Sequence, residues 1–261
     1  MKSFFRMTYP YILWIAVFIV APMIMILLYA LTKDGGNRTL IFRFTFENFT
    51  RFFSDPTFMR VLFTSLRIAF LTTVFCILIG YPAALFIANL SERAQTMMVL
   101  LLTLPMWINM LLKTYAWRGI LMNFDNLESE VKVFIGMVYD FLPYMIIQIH
   151  TSIAKMDREL LTAAYDLGAN RWKTFLKVTL PLSVPGIISG ITLVFLPAVS
   201  SFVIPKLLGG GDYVLIGNLI ETFFVTTGDW NFGSAISLVM ALIIIASMWL
   251  TRKIDRNAKE D

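Results

Sequence analysis

Six apolar stretches along the chain are each long enough to cross a bilayer as a helix. A hydrocarbon core of about 30 Å takes roughly 20 helical residues. The predicted spans are Tyr9–Leu31, Val61–Ala88, Thr96–Leu121, Val133–Ile153, Val184–Ile204 and Phe232–Thr251. This pattern predicts an all-α membrane protein with six transmembrane helices in a single domain over residues 1–261, the third helix kinked at Pro105.

The composition excludes a soluble protein. Hydrophobic residues make up 58% of the 261 residues and charged residues 15%, against about 45–50% and about 25% in soluble domains. The net charge of +5 comes from dispersed basic residues, so nucleic-acid binding is not indicated. With one cysteine, Cys76, an intrachain disulfide is impossible, and with one histidine a histidine-rich metal site is not expected.

The distribution of charge favours an orientation with both termini in the cytoplasm. The inner segments are then 1–8, 89–95, 154–183 and 252–261, with 12 basic and 7 acidic residues, whereas the rest of the chain carries 10 of each. The outer loops are expected at about 32–60 and 206–231.

Both outer loops are expected to contain structure. The first has six phenylalanines among polar residues and is expected to fold over the outer surface: Phe42, Phe44, Phe46, Phe49, Phe52 and Phe53. In the second, Tyr213–Val225 is too short to span the membrane, which predicts an interfacial or re-entrant helix. Gly209-Gly210-Gly211 predicts a tight turn, because no Lys or Ser follows it to bind phosphate.

The cytoplasmic segment of about 155–182 has a strong local pattern. Asp157 is suited to cap a helix, Gly168 to end it, and Asn170 to begin a second short helix. A small apolar face recurs at helical spacing: Leu160, Ala163, Ala164 and Leu167. From spacing alone, the pattern favours an ordinary amphipathic surface helix over a docking helix.

Ala163-Ala164-x-x-x-Gly168, followed by Leu180-Pro181, resembles the EAA loop of ABC importer permeases. Thr162 stands where that motif has Glu, which removes the motif's charge. Other short sequences resemble PotB-type permeases of spermidine/putrescine importers, among them Gly80-Tyr-Pro-Ala-Ala-Leu, Leu104-Pro-Met-Trp-Ile-Asn and Gly228-Asp-Trp-Asn-Phe-Gly.

The resemblance implies the fold of a type I ABC importer permease in a bacterial inner membrane, transporting polyamines. The implied partners are a homologous second permease, two cytoplasmic ATP-binding subunits and an extracytoplasmic polyamine-binding protein. The residues it implies for coupling to the ATPase are Leu160, Thr162, Ala163, Ala164, Asp166 and Gly168. The chain has no P-loop and no catalytic constellation, so no enzymatic activity and no cofactor are expected.

A pathway for polyamines needs hydrogen-bond acceptors, aromatic faces and a limited number of carboxylates. Charged residues at membrane depth are costly, which makes them candidates for function. The polar candidates are Asp140, Tyr144 and Gln148 on the fourth helix, Trp107 and Asn109 on the third, and Glu221 in the outer loop.

Several of these residues have an ordinary alternative role. Asp140 could form an ion pair with Lys113 or Arg118, and Trp107 could serve in packing. The function also has alternatives, namely an ABC permease for another small solute, or an ATP-independent channel or secondary transporter. Because Asp140 is acidic and Trp107 is aromatic, these two candidates favour a cationic solute over an anionic one.

Overall fold

The computed structural model describes residues 10–34, 40–124 and 126–260, without the side chains of 34, 40–42 and 254–260. The short elements are β1 (Thr32–Asp34), β2 (Leu40–Phe44), α2 (Glu47–Ser54), α7 (Arg158–Asp166), α9 (Val203–Leu208) and α10 (Ile216–Glu221). The longer helices are α1 (Pro10–Ala30), α3 (Pro56–Ala88), α4 (Glu92–Trp107), α5 (Met110–Leu121), α6 (Ser129–Ala154), α8 (Arg171–Val199) and α11 (Trp230–Glu260). A π-helical turn, Thr222–Thr227, follows α10.

Five of the described helices are long and apolar enough to cross a membrane: α1, α3, α6, α8 and α11. The α4–α5 pair also passes this test when taken together, but its helices are bent by 91°. The expected all-α membrane fold is therefore confirmed. The predicted start of the first span, Tyr9, lies outside the described residues.

The prediction of one continuous third helix is wrong. The chain leaves the helical conformation at Ile108 and Asn109, not at Pro105, which lies inside α4. The Asn109 side chain accepts a hydrogen bond from the backbone N–H of Leu111 at 2.8 Å, so Asn109 caps a new helix. This capping bond gives the local reason for the break.

The fifth predicted helix is displaced toward the N-terminus. Instead of Val184–Ile204, the helix α8 begins at Arg171 and ends at Val199. It begins early because Asn170 caps it, and a π-helical stretch, Phe175–Thr179, continues directly into the spanning part. The two short inner helices expected in this region are therefore one short helix, α7, and the beginning of α8.

The chain divides into two compact units, which are described separately. Unit 1 consists of Met1–Val61 and Leu219–Ile244, and unit 2 consists of Leu62–Asn218 and Ile245–Asp261.

Unit 1 holds an antiparallel hairpin of β1 and β2 next to an aromatic core. Phe52 of α2 is fully buried, and its ring stacks on Phe58 at 6.1 Å, while Phe58 in turn lies 5.1 Å from Phe232. Asn231 donates to the backbone carbonyls of Tyr29 and Thr32, which fixes the end of α1 to the beginning of α11.

Of the other phenylalanines predicted to cover the outer surface, three are largely exposed: Phe44, Phe46 and Phe53. Phe42 lies outside the described side chains. Phe49 is half-buried, so among the described side chains of this set Phe52 is the fully buried one.

Unit 2 is organised around the close packing of α6 on α8. A side chain at Gly186 would lie 2.8 Å from the backbone carbonyl oxygen of Gln148, and Gly190 packs directly against Met145. The sequence Gly186-Ile-Ile-Ser-Gly190 has the Gly-x-x-x-Gly pattern, which predicts close helix packing. The structure confirms this contact, since the two glycines let the helix backbones approach each other. Tyr81 of α3 joins this core through a 2.8 Å hydrogen bond between its hydroxyl and that of Ser183.

Candidate functional site

Helix α7 is held at both ends as its sequence predicts. The Asp157 carboxylate accepts a hydrogen bond from the backbone N–H of Glu159 at 2.9 Å, which caps the beginning of the helix. At the other end Gly168 has a φ of 78°, and the N–H of Ala169 donates to the carbonyl of Ala164 at 3.0 Å. Such a left-handed glycine closes the helix with little strain.

The side chains of α7 lie mostly on the surface of the chain. Among the predicted coupling residues, Ala164 is half-buried and the following are exposed: Leu160, Thr162, Ala163, Asp166 and Gly168. Leu167, which follows the helix, is 89% exposed. The Thr162 hydroxyl, at the position of the motif's Glu, donates to the carbonyl of Arg158 at 3.3 Å within the same helix. The exposed residues Leu160, Ala163 and Leu167, with half-buried Ala164, form a small uncharged surface suited to contact with another protein.

Helix α7 is joined to a spanning helix through residues 167–170. The Asn170 side chain accepts from the backbone N–H of Lys173 at 2.8 Å, and α8 then runs without interruption to Val199. The π-helical stretch Phe175–Thr179 ends two residues before Pro181, which has no N–H to give to an ordinary helical bond. A displacement of α7 would therefore act directly on α8.

A cavity of about 1000 Å³ lies between α7 and the rest of unit 2. Its lining includes Arg158, Thr162 and Tyr165 of α7 and Arg171 at the start of α8. The opposite wall is formed by the α3–α4 turn and the end of α6, with Asn89, Glu92, Gln95, Ile153 and Met156. Helix α7 therefore stands away from the helices behind it instead of packing on them along its length.

Asp140 and Lys113 form an ion pair between α6 and α5. Lys113 Nζ lies 2.5 Å from Asp140 Oδ1, and the two side chains are only 10% and 13% exposed. A charge at this depth is costly without a partner, which explains the close contact. Next to the pair, the rings of Trp117 and Tyr139 lie 5.1 Å apart. Of the two roles that the sequence left open for Asp140, the structure contains the ion pair.

Asp140, Tyr144, Gln148 and Ser152 recur every four residues along α6 and form a polar stripe on this helix. The last three of them take part in helix packing to different extents. Tyr144 and Gln148 are half-buried, and Ser152 lies against Gly186 of α8. The stripe therefore turns toward α8 at its C-terminal end.

The candidates on the third predicted span are separated by the break. Trp107 is the last residue of α4 and is 78% exposed, while the Asn109 oxygen is engaged in capping α5. Trp107 and Trp117 do not lie on one helix face, because a 91° bend between them interrupts the helical periodicity.

Glu221 lies in unit 1, at the end of α10 and the start of the π-helical turn. It is half-buried. The glycine turn between α9 and α10 is confirmed, since Gly210 and Gly211 have φ values of 66° and 93°.

Two ion pairs join residues so far apart in the chain that nothing in the sequence indicates them. In unit 2, Arg67 Nη2 lies 2.6 Å from both carboxylate oxygens of Glu130, which is 63 residues away along the chain. Tyr213 lies beside this pair, and burial, together with the negative charge of Glu130, raises its pKa above the ordinary value. In unit 1, Arg51 forms a 2.9 Å ion pair with Asp229, 178 residues away.

Comparison with known proteins gives consistent matches. Residues 76–260 match the family described as "Binding-protein-dependent transport system inner membrane component". The chain is 38% identical to the spermidine/putrescine transport system permease protein PotB of Haemophilus influenzae, covering 93% of each protein. It is 36% identical to the PotB of Escherichia coli K12, covering 88% of this chain and 90% of that protein.

A solved structure shares the fold. A chain of a bacterial ABC transporter that imports the acidic polysaccharide alginate aligns with a TM-score of 0.78 and 16% identity, covering 98% of this chain and 96% of that one. The fold of a type I ABC importer permease, expected from the EAA-like loop, is therefore confirmed.

Proposed function

We propose that this chain, which belongs to the family of binding-protein-dependent transport system inner membrane components, is the permease subunit of a polyamine ABC importer. The substrate is supported by the 38% identity to a spermidine/putrescine permease over nearly the full length of both proteins. The structural observation that carries the transport role is α7, an exposed and capped helix joined to the spanning helix α8.

We infer the partners from this assignment. An ATP-binding subunit would dock on the uncharged surface of α7, and a second, homologous permease with its own ATP-binding subunit would complete the membrane assembly. An extracytoplasmic polyamine-binding protein would deliver the substrate. The chain itself would hydrolyse no ATP, since its sequence has no P-loop.

The packing in unit 2 suggests how a movement of α7 would reach the membrane-spanning helices. Helix α8 is continuous from Arg171 to Val199, so it would follow α7 as a stiff rod. The contacts of Gly186 and Gly190 leave no gap between α8 and α6, so α6 would be displaced as well. ATP-driven motion at α7 would thus reach Asp140, Tyr144 and Gln148 on α6.

The Asp140–Lys113 pair suits a pathway that must release its cargo. A lone carboxylate in a low dielectric would hold an ammonium group tightly, whereas a carboxylate already paired with Lys113 offers only an exchange of one cation for another. Tyr144 and Gln148, Trp107 and Asn109 at the α4–α5 break, and Glu221 would supply further acceptors and aromatic faces along the route.

The chain is a multi-pass membrane protein, and we propose that both termini lie in the cytoplasm, as the excess of basic residues in the inner segments indicates. In this orientation α7 faces the ATP-binding subunits. The α5–α6 connection would then lie on the outer side.

Stimulation of ATP hydrolysis tests this assignment. The chain, its second permease and the ATP-binding subunit are reconstituted in nanodiscs, and ATP hydrolysis is measured with the binding protein and spermidine. We expect stimulation that needs both additions. Stimulation by another class of solute would assign a different cargo, and an assembly without any ATP-binding subunit would favour a channel or secondary transporter.

A further inference from the structure

Unit 1 contains a small aromatic and acidic cage that holds the guanidinium of Arg51. The Arg51 Cζ atom lies 4.0 Å from the ring centroid of Phe232 and 5.8 Å from that of Phe223. Its Nη1 atom lies 2.9 Å from Oδ2 of Asp229. The two rings are 4.7 Å apart and nearly perpendicular, at 86°, so they form two walls of the cage.

Asp229 and Phe232 are held in place by the fold, whereas the guanidinium between them belongs to a long and half-exposed side chain. Oδ1 of Asp229 accepts from the backbone N–H of Phe232 at 3.0 Å at the beginning of α11, and Phe232 is fully buried. Arg51, by contrast, reaches the cage from α2 on a long side chain that is 51% exposed. Solvent, and a cation dissolved in it, can therefore approach the guanidinium without any change in the walls.

The chemistry of the cage is that of an organic-cation site. Aromatic faces attract cations through their quadrupole, and a carboxylate forms charge-assisted hydrogen bonds with N–H donors. The primary and secondary ammonium groups of a polyamine offer the same positive charge and the same N–H donors as a guanidinium. The presence of the guanidinium shows that the walls accept a cation of this kind.

We propose that Phe223, Asp229 and Phe232 form a polyamine-binding site that Arg51 occupies when no substrate is present, and that an ammonium group of the substrate exchanges with the guanidinium. This inference rests on the proposed function. Since Arg51 is tethered beside the cage, it acts as a competitor at high effective concentration and keeps the affinity for the substrate low. A low affinity lets the polyamine leave the cage for the next site.

A purely structural role makes the opposite prediction for one substitution. If Arg51 only fastened α2 to α11, then Arg51→Met would weaken the fold and leave polyamine binding unchanged. If Arg51 occupies a polyamine site, the same variant empties the site and strengthens binding. Arg60→Met is the matched control, because it removes one positive charge from an exposed arginine of the same unit outside the cage.

The experiment measures the thermal stability of the purified full chain against spermidine concentration at constant ionic strength. A ligand that binds the folded state raises the unfolding temperature as its concentration exceeds the dissociation constant. We expect the spermidine concentration that gives a fixed rise in the unfolding temperature to fall about threefold to tenfold in Arg51→Met, the range for a contact of this type. It should change less than about twofold in Arg60→Met.

A second substitution tests the cage itself. Asp229→Asn in the Arg51→Met background keeps an oxygen for the helix cap but removes the charge, so the gain in binding should disappear. Equal behaviour of Arg51→Met and Arg60→Met, or a gain that survives Asp229→Asn, would overturn the inference.

The wild-type chain offers a measurement that does not depend on the folding of a variant. Phenylglyoxal modifies accessible arginines, and peptide mass spectrometry gives the rate at each position. Saturating spermidine should speed modification of Arg51 severalfold while leaving Arg60 unchanged in the same sample. An unchanged rate at Arg51 would contradict the exchange.

These outcomes separate the inference from the proposed function. If the reconstituted importer takes up spermidine but Arg51 behaves like Arg60, the cage assignment is wrong and the transport function stands. If Arg51 responds as expected but no ATP-dependent uptake occurs, the cage binds polyamines and the transport assignment is wrong.

Discussion

Lys113 Nζ lies 2.5 Å from Asp140 Oδ1, and this pair joins α5 to the middle of α6 in a setting where both side chains are about nine-tenths buried. The pair therefore has two possible consequences, one for stability and one for transport. Separate substitutions distinguish them.

Asp140→Asn should lower both stability and spermidine uptake. Removing one partner leaves Lys113 as an uncompensated charge, which we expect to cost about 3–5 kcal/mol in the free energy of unfolding. The double variant Lys113→Met/Asp140→Asn removes both charges and should recover most of the stability, measured by thermal unfolding. Uptake should remain low in the double variant, because the exchangeable carboxylate is missing. Full uptake in the double variant would make Asp140 a purely structural residue.

A large side chain introduced on the surface of α7 should uncouple ATP hydrolysis from uptake. Ala163 is exposed, so Ala163→Trp should change the free energy of unfolding by less than about 0.5 kcal/mol while blocking close approach of the ATP-binding subunit. Ala164→Trp should have the same effect on coupling. Arg93→Trp places the same side chain at an exposed position outside α7 and should leave uptake intact. Normal transport by both alanine variants would remove α7 from the docking surface.

An added side chain should disturb helix packing in unit 2 at Gly190 and should be tolerated at Gly119. Gly190→Val forces a side chain into Met145, and we expect a loss of about 1–3 kcal/mol in unfolding free energy. Gly119→Ala meets no atom within 4 Å and should stabilise α5 by up to about 1 kcal/mol. Thermal unfolding of the two variants in detergent gives the comparison, and equal effects at the two positions would contradict the packing described for α6 and α8.

Single-cysteine labelling should find Asn126→Cys reactive from outside the cell and Lys173→Cys reactive only from inside. The native Cys76 is buried and is replaced by alanine in both variants. Both test positions are exposed; Asn126 precedes α6, and Lys173 lies at the start of α8, so the pair reports the direction of α6 across the membrane. Position 38, another expected outer site, lies outside the described residues. Labelling of the two cysteines from the same side, or each from the side opposite to the one expected, would contradict the proposed topology.

The sequence predicted the parts of the fold that depend on short-range chemistry. The apolar runs located the spanning helices, Asp157 and Gly168 located the ends of α7, and Gly186-x-x-x-Gly190 located a close helix contact, because each of these signals lies within a few residues. The break at Asn109 was missed, since the apolar run continues through it and a capping asparagine reads as an ordinary polar residue.

The ion pairs between distant parts of the chain could not be predicted from the sequence. The pairs Arg67–Glu130 and Arg51–Asp229 join residues far apart in the chain, and nothing in the local pattern of either residue identifies its partner. For Asp140 the sequence supplied two candidate partners, Lys113 and Arg118, and only the placement of α5 after the 91° bend selects Lys113. The partners of these charged residues were thus the hardest part of the structure to predict.

The central claim is that this chain carries polyamines across a membrane as part of an ATP-driven assembly, and the most direct measurement is uptake of radiolabelled spermidine into proteoliposomes. The vesicles contain the chain, its homologous permease and the ATP-binding subunit, with the binding protein outside and ATP inside. We predict accumulation that requires ATP and the binding protein, is competed by unlabelled putrescine, and is unaffected by an excess of anionic solutes. Accumulation that is independent of ATP, or an assembly that hydrolyses ATP and moves another solute but not spermidine, would contradict the account.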